Sequence, residues 1–535
     1  MRIVSEISKN DLALGSQVVL GGSVIVNVSP AGEVRACWNR CKHQGGRLVL
    51  SEGATATCPH HGWKLDVGSM TYLNPIGAGP QNELTVVEGS GGQLSICESV
   101  RPEPWGSRAS RQLLRNQELM VTFLVHASIE VKMGQTTLIS DPWYQGPAFT
   151  RGWWLARTPP DDVWQRLVHA DFIYISHSHS DHLNSSTLAE LAIRKPQAKF
   201  IVPPFDDCVL RLRSLGFEQI HVAEFGEWTA LNSQSRLMLL KDGKSRDDSG
   251  MILDYKGFRL LSTVDSSDLN GGLLPDDVDM LLMSYSGGAV DYPVCWSEMY
   301  SESEINQQIR RDRRQIVNRI IRTVTSTNSK LFVPFASDFT ECHPSDAAIA
   351  SSNWKNSAQL VAEVVSRQTH AKSWIPEPGA TYDFATESVS NEGVFGHPPS
   401  HDFERWIKPI RAAMDFVPLQ TADGLLEYFT WAGFHGDLTL DIIETDETFQ
   451  TVLRQTLIDL QSLRVVHGEP NPENHYLRIR VRADVFRFVL MHALPWEEFA
   501  IGFQARFFRI PDVHRMDFWE HMQDGLPSTP PWDLS

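Results

Sequence analysis

The run Phe172-Ile-Tyr-Ile-Ser176 reads as a short apolar strand, and directly after it the chain places three imidazoles and a carboxylate within six residues: His177-Ser178-His179-Ser180-Asp181-His182. Core packing does not call for that density of ionisable groups, because each one costs free energy when buried unless it is paired or metal-bound. A loop at the end of a strand can present His177 and His179 to one metal ion and Asp181 and His182 to a second. The surroundings supply the scaffold such a loop needs. Strands lengthen from about Leu119, and helical stretches then alternate with buried-looking strands such as Lys199-Phe-Ile-Val and Met280-Leu-Leu-Met, the pattern of an α/β layered domain.

A second pattern lies upstream. Cys41-Lys42-His43 is followed, after fourteen residues, by Cys58-Pro59-His60-His61-Gly62-Trp63. Two hairpin-like loops, each offering one thiolate and one imidazole, can hold a [2Fe–2S] cluster with cysteines on one iron and histidines on the other. A zinc knuckle needs neither the Gly-Trp that follows nor an all-β setting. The spacing resembles the Rieske family, and the resemblance makes Cys41, His43, Cys58 and His61 the cluster ligands, with His60 and Cys37 as spares. Pro75-Ile-Gly-Ala-Gly-Pro80 sits where that fold runs a third loop over the cluster.

The chain has 535 residues, enough for three or four domains at roughly 150 residues each. We expect an all-β Rieske domain over residues 1–100, a metal-binding catalytic domain over 101–350 and a mixed α+β region over 351–535, with Ser99 to Trp105 as the first linker. In the last region Gln450 to Leu463 and Ala483 to Ala493 read as helices and Tyr476-Leu-Arg-Ile-Arg-Val-Arg as a strand. Acidic residues outnumber basic ones 65 to 48, a net charge of −17 that repels phosphate polymers and argues against a nucleic-acid partner. An odd count of seven scattered cysteines is no secreted disulfide framework. With no signal-peptide pattern in Met1 to Pro30 and no run apolar enough for a membrane span, the expected compartment is the cytoplasm.

The His-x-His-x-Asp-His motif resembles the metallo-β-lactamase superfold, an αββα sandwich with a dinuclear site. Leu138-Ile-Ser-Asp141 resembles the strand-end aspartate that braces that site, and Asp265, closing the apolar strand Leu260-Leu-Ser-Thr-Val, stands where the superfold places its bridging aspartate. His177, His179 and Asp265 are then the residues expected to carry the chemistry. The third motif normally brings a histidine, but the stretch Leu240 to Gly250 has none, so a carboxylate at Asp242, Asp247 or Asp248 stands in, with Asp248 favoured. The last ligand is expected at His343, with Asp338 competing. His126 reads as a structural histidine. More oxygen donors and fewer imidazoles suit iron or manganese better than zinc.

The order of the two motifs, with Met283-Ser-Tyr-Ser-Gly-Gly-Ala-Val-Asp-Tyr-Pro and the tail Ile501-Gly-Phe-Gln-Ala-Arg506-Phe-Phe-Arg-Ile-Pro-Asp-Val, resembles the CMP-N-acetylneuraminic acid hydroxylase family over nearly the whole chain. That resemblance implies an O2-dependent monooxygenase, with the Rieske cluster relaying electrons to mono- or dinuclear non-haem iron. It also implies NAD(P)H as the electron source, delivered through a reductase and a carrier of the cytochrome b5 or ferredoxin type. No Gly-x-Gly-x-x-Gly follows a strand, so the nicotinamide is expected on a separate protein. The substrate would be a small anion, an N-acetyl sugar nucleotide or a related metabolite. Cationic partners for it could come from the arginines between Arg310 and Arg322, although the stripe Ile305, Ile309, Ile316 and Ile320 turns most of them to water. The alternative is a zinc hydrolase, of phosphodiesterase or lactonase type, carrying a redox-sensing Rieske domain.

Overall fold

The computed structural model describes the chain except residues 44–45, 52, 59–61, 100–102, 244–246, 391–398, 469–474, 528–530 and 533–535. It divides into two compact units. One comprises Met1–Glu103 with Pro472–His475 and Arg509–Leu526, and the other comprises Pro104–Asn471, Tyr476–Phe508 and Pro527–Ser535.

Among the described residues the first unit is all-β apart from one α-helix and two short 3-10 turns. A six-stranded antiparallel sheet joins Arg2–Ser8, Gln93–Glu98, Glu83–Glu88, Val34–Trp38, Val24–Val28 and Gln17–Leu20, in that order. A second sheet of four short strands, Val49–Ser51, Thr55–Thr57, Lys64–Asp66 and Thr71–Asn74, follows the Cys41 segment, and Cys58 lies between its second and third strands. The helix, Met516–Asp524, comes from the far end of the chain. Its approach is pinned by main-chain bonds: Ile76 N donates to His514 O at 3.0 Å, and Met516 N to Ile76 O at 3.1 Å. Met516 packs on the core built around Cys41, Cys58 and Trp63. Gly77 makes the approach possible, since its backbone is left-handed (φ 89°) and a Cβ there would stand 2.9 Å from Asp517 N.

The second unit is built on the αββα sandwich. One sheet of eight strands runs in the order Ile220–Val222, Phe200–Val202, Phe172–Tyr174, Thr136–Ser140, Ser128–Met133, Leu119–Val125, Thr381–Asp383 and Ser388–Ser390. The other, of seven, runs Trp228–Ala230, Ser235–Lys241, Ser249–Tyr255, Phe258–Ser262, Met280–Ser284, Leu331–Phe335 and Lys372–Ser373. Side chains of both sheets, such as Val121 and Val131 with Leu239 and Leu253, share one core. The far face of the seven-stranded sheet packs on Ile320 and Val324 of the helix Glu302–Ser326 and on Val361 and Val365 of Ala358–Gln368. The first of these helices starts with the expected capping box, Ser301 with Glu304.

Three expectations are corrected. The sandwich does not stop near residue 350, because strands from 372–373 and 381–390 complete both of its sheets. Trp105 is no linker residue: it is buried against Met238, Ile252 and Leu281, while residues 100–102 lie outside the described part. Gln450 to Leu463 is not a helix but contains the strand Val452–Asp459, antiparallel to the fully buried strand Thr439–Thr445. Its Leu453 and Leu457 spacing imitates a helical stripe, yet Val452, Thr456 and Ile458 are β-branched, and pairing with a buried neighbour decides the outcome.

These two strands belong to a five-stranded sheet, in the order Arg464–Val465, Val452–Asp459, Thr439–Thr445, Tyr476–Arg482 and Ala505–Ile510, which buried arginines tie to the sandwich. Arg482 donates to Asp346 Oδ1 at 2.6 Å and to Ser345 O at 2.9 Å, and Arg151 pairs with Asp484 at 3.4 Å. Removing one partner of such a buried pair costs about 3–5 kcal/mol, so this contact is set firmly.

Replacing Gly77 by Ala should detach the segment Arg509–Leu526 from the first unit. Calorimetry should then show the transition of that unit lowered and the sandwich transition unmoved. An unchanged thermogram would contradict the tail's role.

Candidate metal centre and cluster-binding loops

The sandwich strands bring their following residues to one edge. Asp141 follows Thr136–Ser140, His177 to His182 follow Phe172–Tyr174, and Asp265 follows Phe258–Ser262. Carboxyl ends of parallel strands are where open α/β sheets assemble sites. The backbone is left-handed at His126 (φ 51°), Asp141 (φ 36°) and Val264 (φ 47°), a conformation that costs non-glycine residues about 1–3 kcal/mol each and persists where the surroundings impose it.

The hydrogen bonds assign the protons. Asp141 is fully buried and accepts from Ser176 N at 2.7 Å and Ser176 Oγ at 2.8 Å. A hydroxyl has a single proton, so Ser176 Oγ accepts from His177 Nδ1, 2.9 Å away, and His177 turns a bare Nε2 inward. His182 Nδ1 donates to Asp141 Oδ2 at 3.1 Å, which leaves its Nε2 3.2 Å from Asp181 and 3.4 Å from Asp265. His179 Nε2 donates to Glu497 Oε2 at 2.8 Å, and its Nδ1 lies 2.8 Å from His177 Nε2. Asp248 Oδ1 stands 3.6 Å from that same Nε2.

Two groups of ligand atoms result, each within 4.8 Å: His177 with His179 and Asp265, and His126 with Asp181 and His182. Proximity alone would make His126 a ligand, but its tautomer argues otherwise. Its Nδ1 accepts from Asp338 N at 3.1 Å, so its Nε2 carries the proton and donates to Asp181 Oδ2 at 3.0 Å. His126 thus orients Asp181. Asp181 Oδ1 and His182 Nε2 are buried without a hydrogen-bond partner, the nearby carboxylates being within ion-pair range of His182 but out of line for a hydrogen bond. Such orphans are rare, and two side by side fit a cation between them.

The metal-free charges agree. Burial opposes a proton on His182, but the Asp181, Asp265 and Asp141 carboxylates hold its pKa well above the ordinary imidazole value. Burial also opposes charge on Asp181, yet His182 and the bond from His126 keep its carboxyl well below the usual range. At His179 burial is outweighed by Glu497, with Asp248 and Asp181 helping, and the imidazole is pushed up to about 9. These protons sit where a metal's charge would, so metal uptake displaces them.

Of the carboxylates open to the third position, Asp248 is the one at the cluster. Asp242 caps the turn after Asp265 by accepting from Ser266 Oγ at 2.7 Å and Ser267 N at 3.1 Å, and Asp247 pairs with Lys241 at 3.2 Å. His343 is not brought to the site. Its Nδ1 caps the turn Pro344–Asp346, 3.2 Å from Ser345 N, and its ring packs edge-on to Phe403. The competing Asp338 is held by Arg157 and by the His126 amide. Glu497 was not foreseen, since Trp496-Glu-Glu-Phe reads as an ordinary helix start more than 300 residues downstream of His179.

In the first unit Cys41 N donates to Gly46 O and Cys58 N to Trp63 O, both at 2.7 Å, closing two tight loops. Both thiols are buried and unbridged, and His43 stacks on Trp63 with ring centres 4.5 Å apart. Lys42 ties these loops to the third: its N donates to Tyr72 Oη at 2.8 Å and its Nζ to Ala78 O at 3.0 Å. His61 lies outside the described residues. Burial pushes the Cys37 thiol up to about 12, so in the metal-free protein it stays protonated. Buried thiols in short loops, one of them two residues from an imidazole, fit a [2Fe–2S] cluster.

Residues 3–77 match the family model of the Rieske [2Fe-2S] domain, which implies that cluster. The mouse cytidine monophosphate-N-acetylneuraminic acid hydroxylase is 36% identical over 93% of this chain and 90% of its own length, and the macaque enzyme is 37% identical over 93% and 88%. The chain belongs to the cytidine monophosphate-N-acetylneuraminic acid hydroxylase family. Among solved structures, the diiron β-hydroxylase CmlA from Streptomyces venezuelae aligns at 15% identity with a TM-score of 0.33, covering 50% of this chain and 54% of that one. As a member of the hydroxylase family with a Rieske domain, the chain is an enzyme, a Rieske monooxygenase. Among its described residues no helix is long and apolar enough to cross a membrane.

Metal-free protein should show the His179 proton in its stability. A pKa raised from 6.5 to about 9 contributes stability that is complete below about pH 6.5 and lost as pH rises through 9. Thermal melts of the metal-depleted hydroxylase from pH 6 to 10 should fall over that window, and His179→Gln should flatten the fall. Identical pH profiles would contradict the pairing with Glu497.

Proposed function

We propose that this chain hydroxylates the N-acetyl methyl group of CMP-N-acetylneuraminate to the N-glycolyl form, at non-haem iron held by the His177 to His182 loop with Asp248 and Asp265. The observation that carries the reading is the donor set. Carboxylates supply Asp248, Asp265 and Asp181 Oδ1 against the three imidazoles of His177, His179 and His182, an oxygen-rich set that suits iron, on a chain that also carries a Rieske domain.

When bound, the cluster supplies electrons singly and the iron supplies the oxidising power, so that one atom of O2 enters the C–H bond and the other leaves as water with two electrons and two protons. The residues divide the remaining work. His177 Nε2, His179 Nδ1, Asp248 and Asp265 would hold one metal ion, and Asp181 with His182 would hold a second. Asp265 is the most open of these carboxylates, 29% exposed against 5% for Asp248 and 2% for Asp181, which supports a substrate approach from its side. An anionic sugar nucleotide needs a cation there. The arginines at 310, 311, 314 and 322 face water, whereas Arg319 lies in the field of Asp242, Asp265 and Asp268 with its Nε buried and unpartnered. Arg319 is therefore suited to the substrate's carboxylate or phosphate.

Electrons come from NAD(P)H through a separate reductase and a cytochrome b5 or ferredoxin type carrier. The seven unbridged cysteines fit a reducing compartment, the cytoplasm.

Incubating the reduced, iron-loaded protein with O2 and CMP-N-acetylneuraminate should add one oxygen atom to the substrate by mass spectrometry. Asp265→Asn should abolish that product and leave the cluster's visible spectrum unchanged. Elemental analysis should find iron beyond the cluster's two atoms; stoichiometric zinc with hydrolysis under anaerobic conditions would instead establish the hydrolase.

A further inference from the structure

We propose that Glu497 is a positioning residue of the metal centre, supplied by the C-terminal region: by accepting the Nε2 proton of His179 it fixes Nδ1 as the nitrogen that faces the metal. The inference rests on the reading of the His177 to His182 loop as a metal site.

A ligating imidazole gives one nitrogen to the metal and needs a partner for the other, and a carboxylate in that place orients the ring and raises its basicity. His177 and His182 draw that support from inside the sandwich, through Ser176 and Asp141. His179 does not. Its Nδ1 faces His177 Nε2 at 2.8 Å, and among the described residues the hydrogen-bond partner of its Nε2 is Glu497, at 2.8 Å. Without Glu497 either ring nitrogen could carry the proton and the ring could turn.

The approach of Glu497 is built with care on both sides. The short helix Glu497–Ala500 and the residues after it lie against the turn at 149–153, where a Cβ on Gly152 would stand 2.0 Å from Gly502 O and one on Gly502 2.5 Å from Phe149 O. Trp153 Nε1 donates to Ile501 O at 3.2 Å. The neighbouring Glu498 accepts instead from Thr150 N at 2.9 Å and from Ser180 Oγ at 3.3 Å, clasping the turn to the metal loop without touching an imidazole. Consecutive glutamates thus separate docking from ligand support, and that separation makes the proposal testable.

The full-length protein, depleted of metal outside the cluster, is titrated anaerobically with Co(II) and followed by its visible spectrum. Glu497→Ala should weaken one class of Co(II) site by about 10–100-fold, leave the other class and the Rieske spectrum unchanged, and alter the cobalt bands of the weakened site. Glu497→Gln, which keeps an acceptor for the His179 proton, should recover most of that affinity. Glu498→Gln should bind cobalt as the wild type does. Wild-type affinity in Glu497→Ala, or an equal loss in Glu498→Gln, overturns the role of Glu497. If the wild-type protein takes up no cobalt at all, it is the metal-site reading that fails.

Discussion

A single buried carboxylate, Asp141, holds the His177 to His182 loop in shape. It sits on a left-handed backbone at the end of one strand and accepts three hydrogen bonds from the next: two from Ser176 and one from His182. A buried charge is tolerable because it is so fully bonded, and breaking such an arrangement exposes a cost of several kcal/mol. Through Ser176 it sets the tautomer of His177, and directly it sets that of His182. The inward lone pairs of two imidazoles are therefore consequences of one aspartate, and the loop has little freedom left to choose. His126 extends the same logic to Asp181.

Much of this was legible in the sequence, for physical reasons that differ by element. The His177 to His182 run is readable because its ionisable density has no other cheap explanation, and the cysteine loops because two thiol–imidazole pairs at that spacing suit little else. Asp248 was singled out as a carboxylate where an imidazole was missing, and its Oδ1 lies 3.6 Å from His177 Nε2. Glu497 was not, since nothing in a local window tells a glutamate that starts a surface helix from one that reaches a histidine hundreds of residues away. His343 misled for the opposite reason: a histidine beside a strand end has the right address, but the turn at Pro344 uses its nitrogen as a cap. The strand Val452–Asp459 shows the same limit in the fold, where a helical spacing of leucines yields to the demand of the buried strand beside it.

The two units meet different demands with similar means. Around Cys41 and Cys58 the chain makes short loops closed by main-chain bonds, fit for a group that must be held tightly and kept out of water. Around His177 it uses strand ends and strained backbone, fit for a site that must leave one side open. In each case the decisive neighbours come from elsewhere in the chain, Met516 on the cysteine core and Asp265 and Glu497 beside the histidines.

The return of Arg509–Leu526 to the first unit has a consequence for biogenesis. Cys41 and Cys58 leave the ribosome hundreds of residues before the segment that completes their unit, and His179 likewise precedes Glu497. Domains ordinarily fold as they emerge, N-terminal first. Here neither site has all its neighbours until the residues around Glu497 and Met516 have been made, so a product terminated before them lacks part of both.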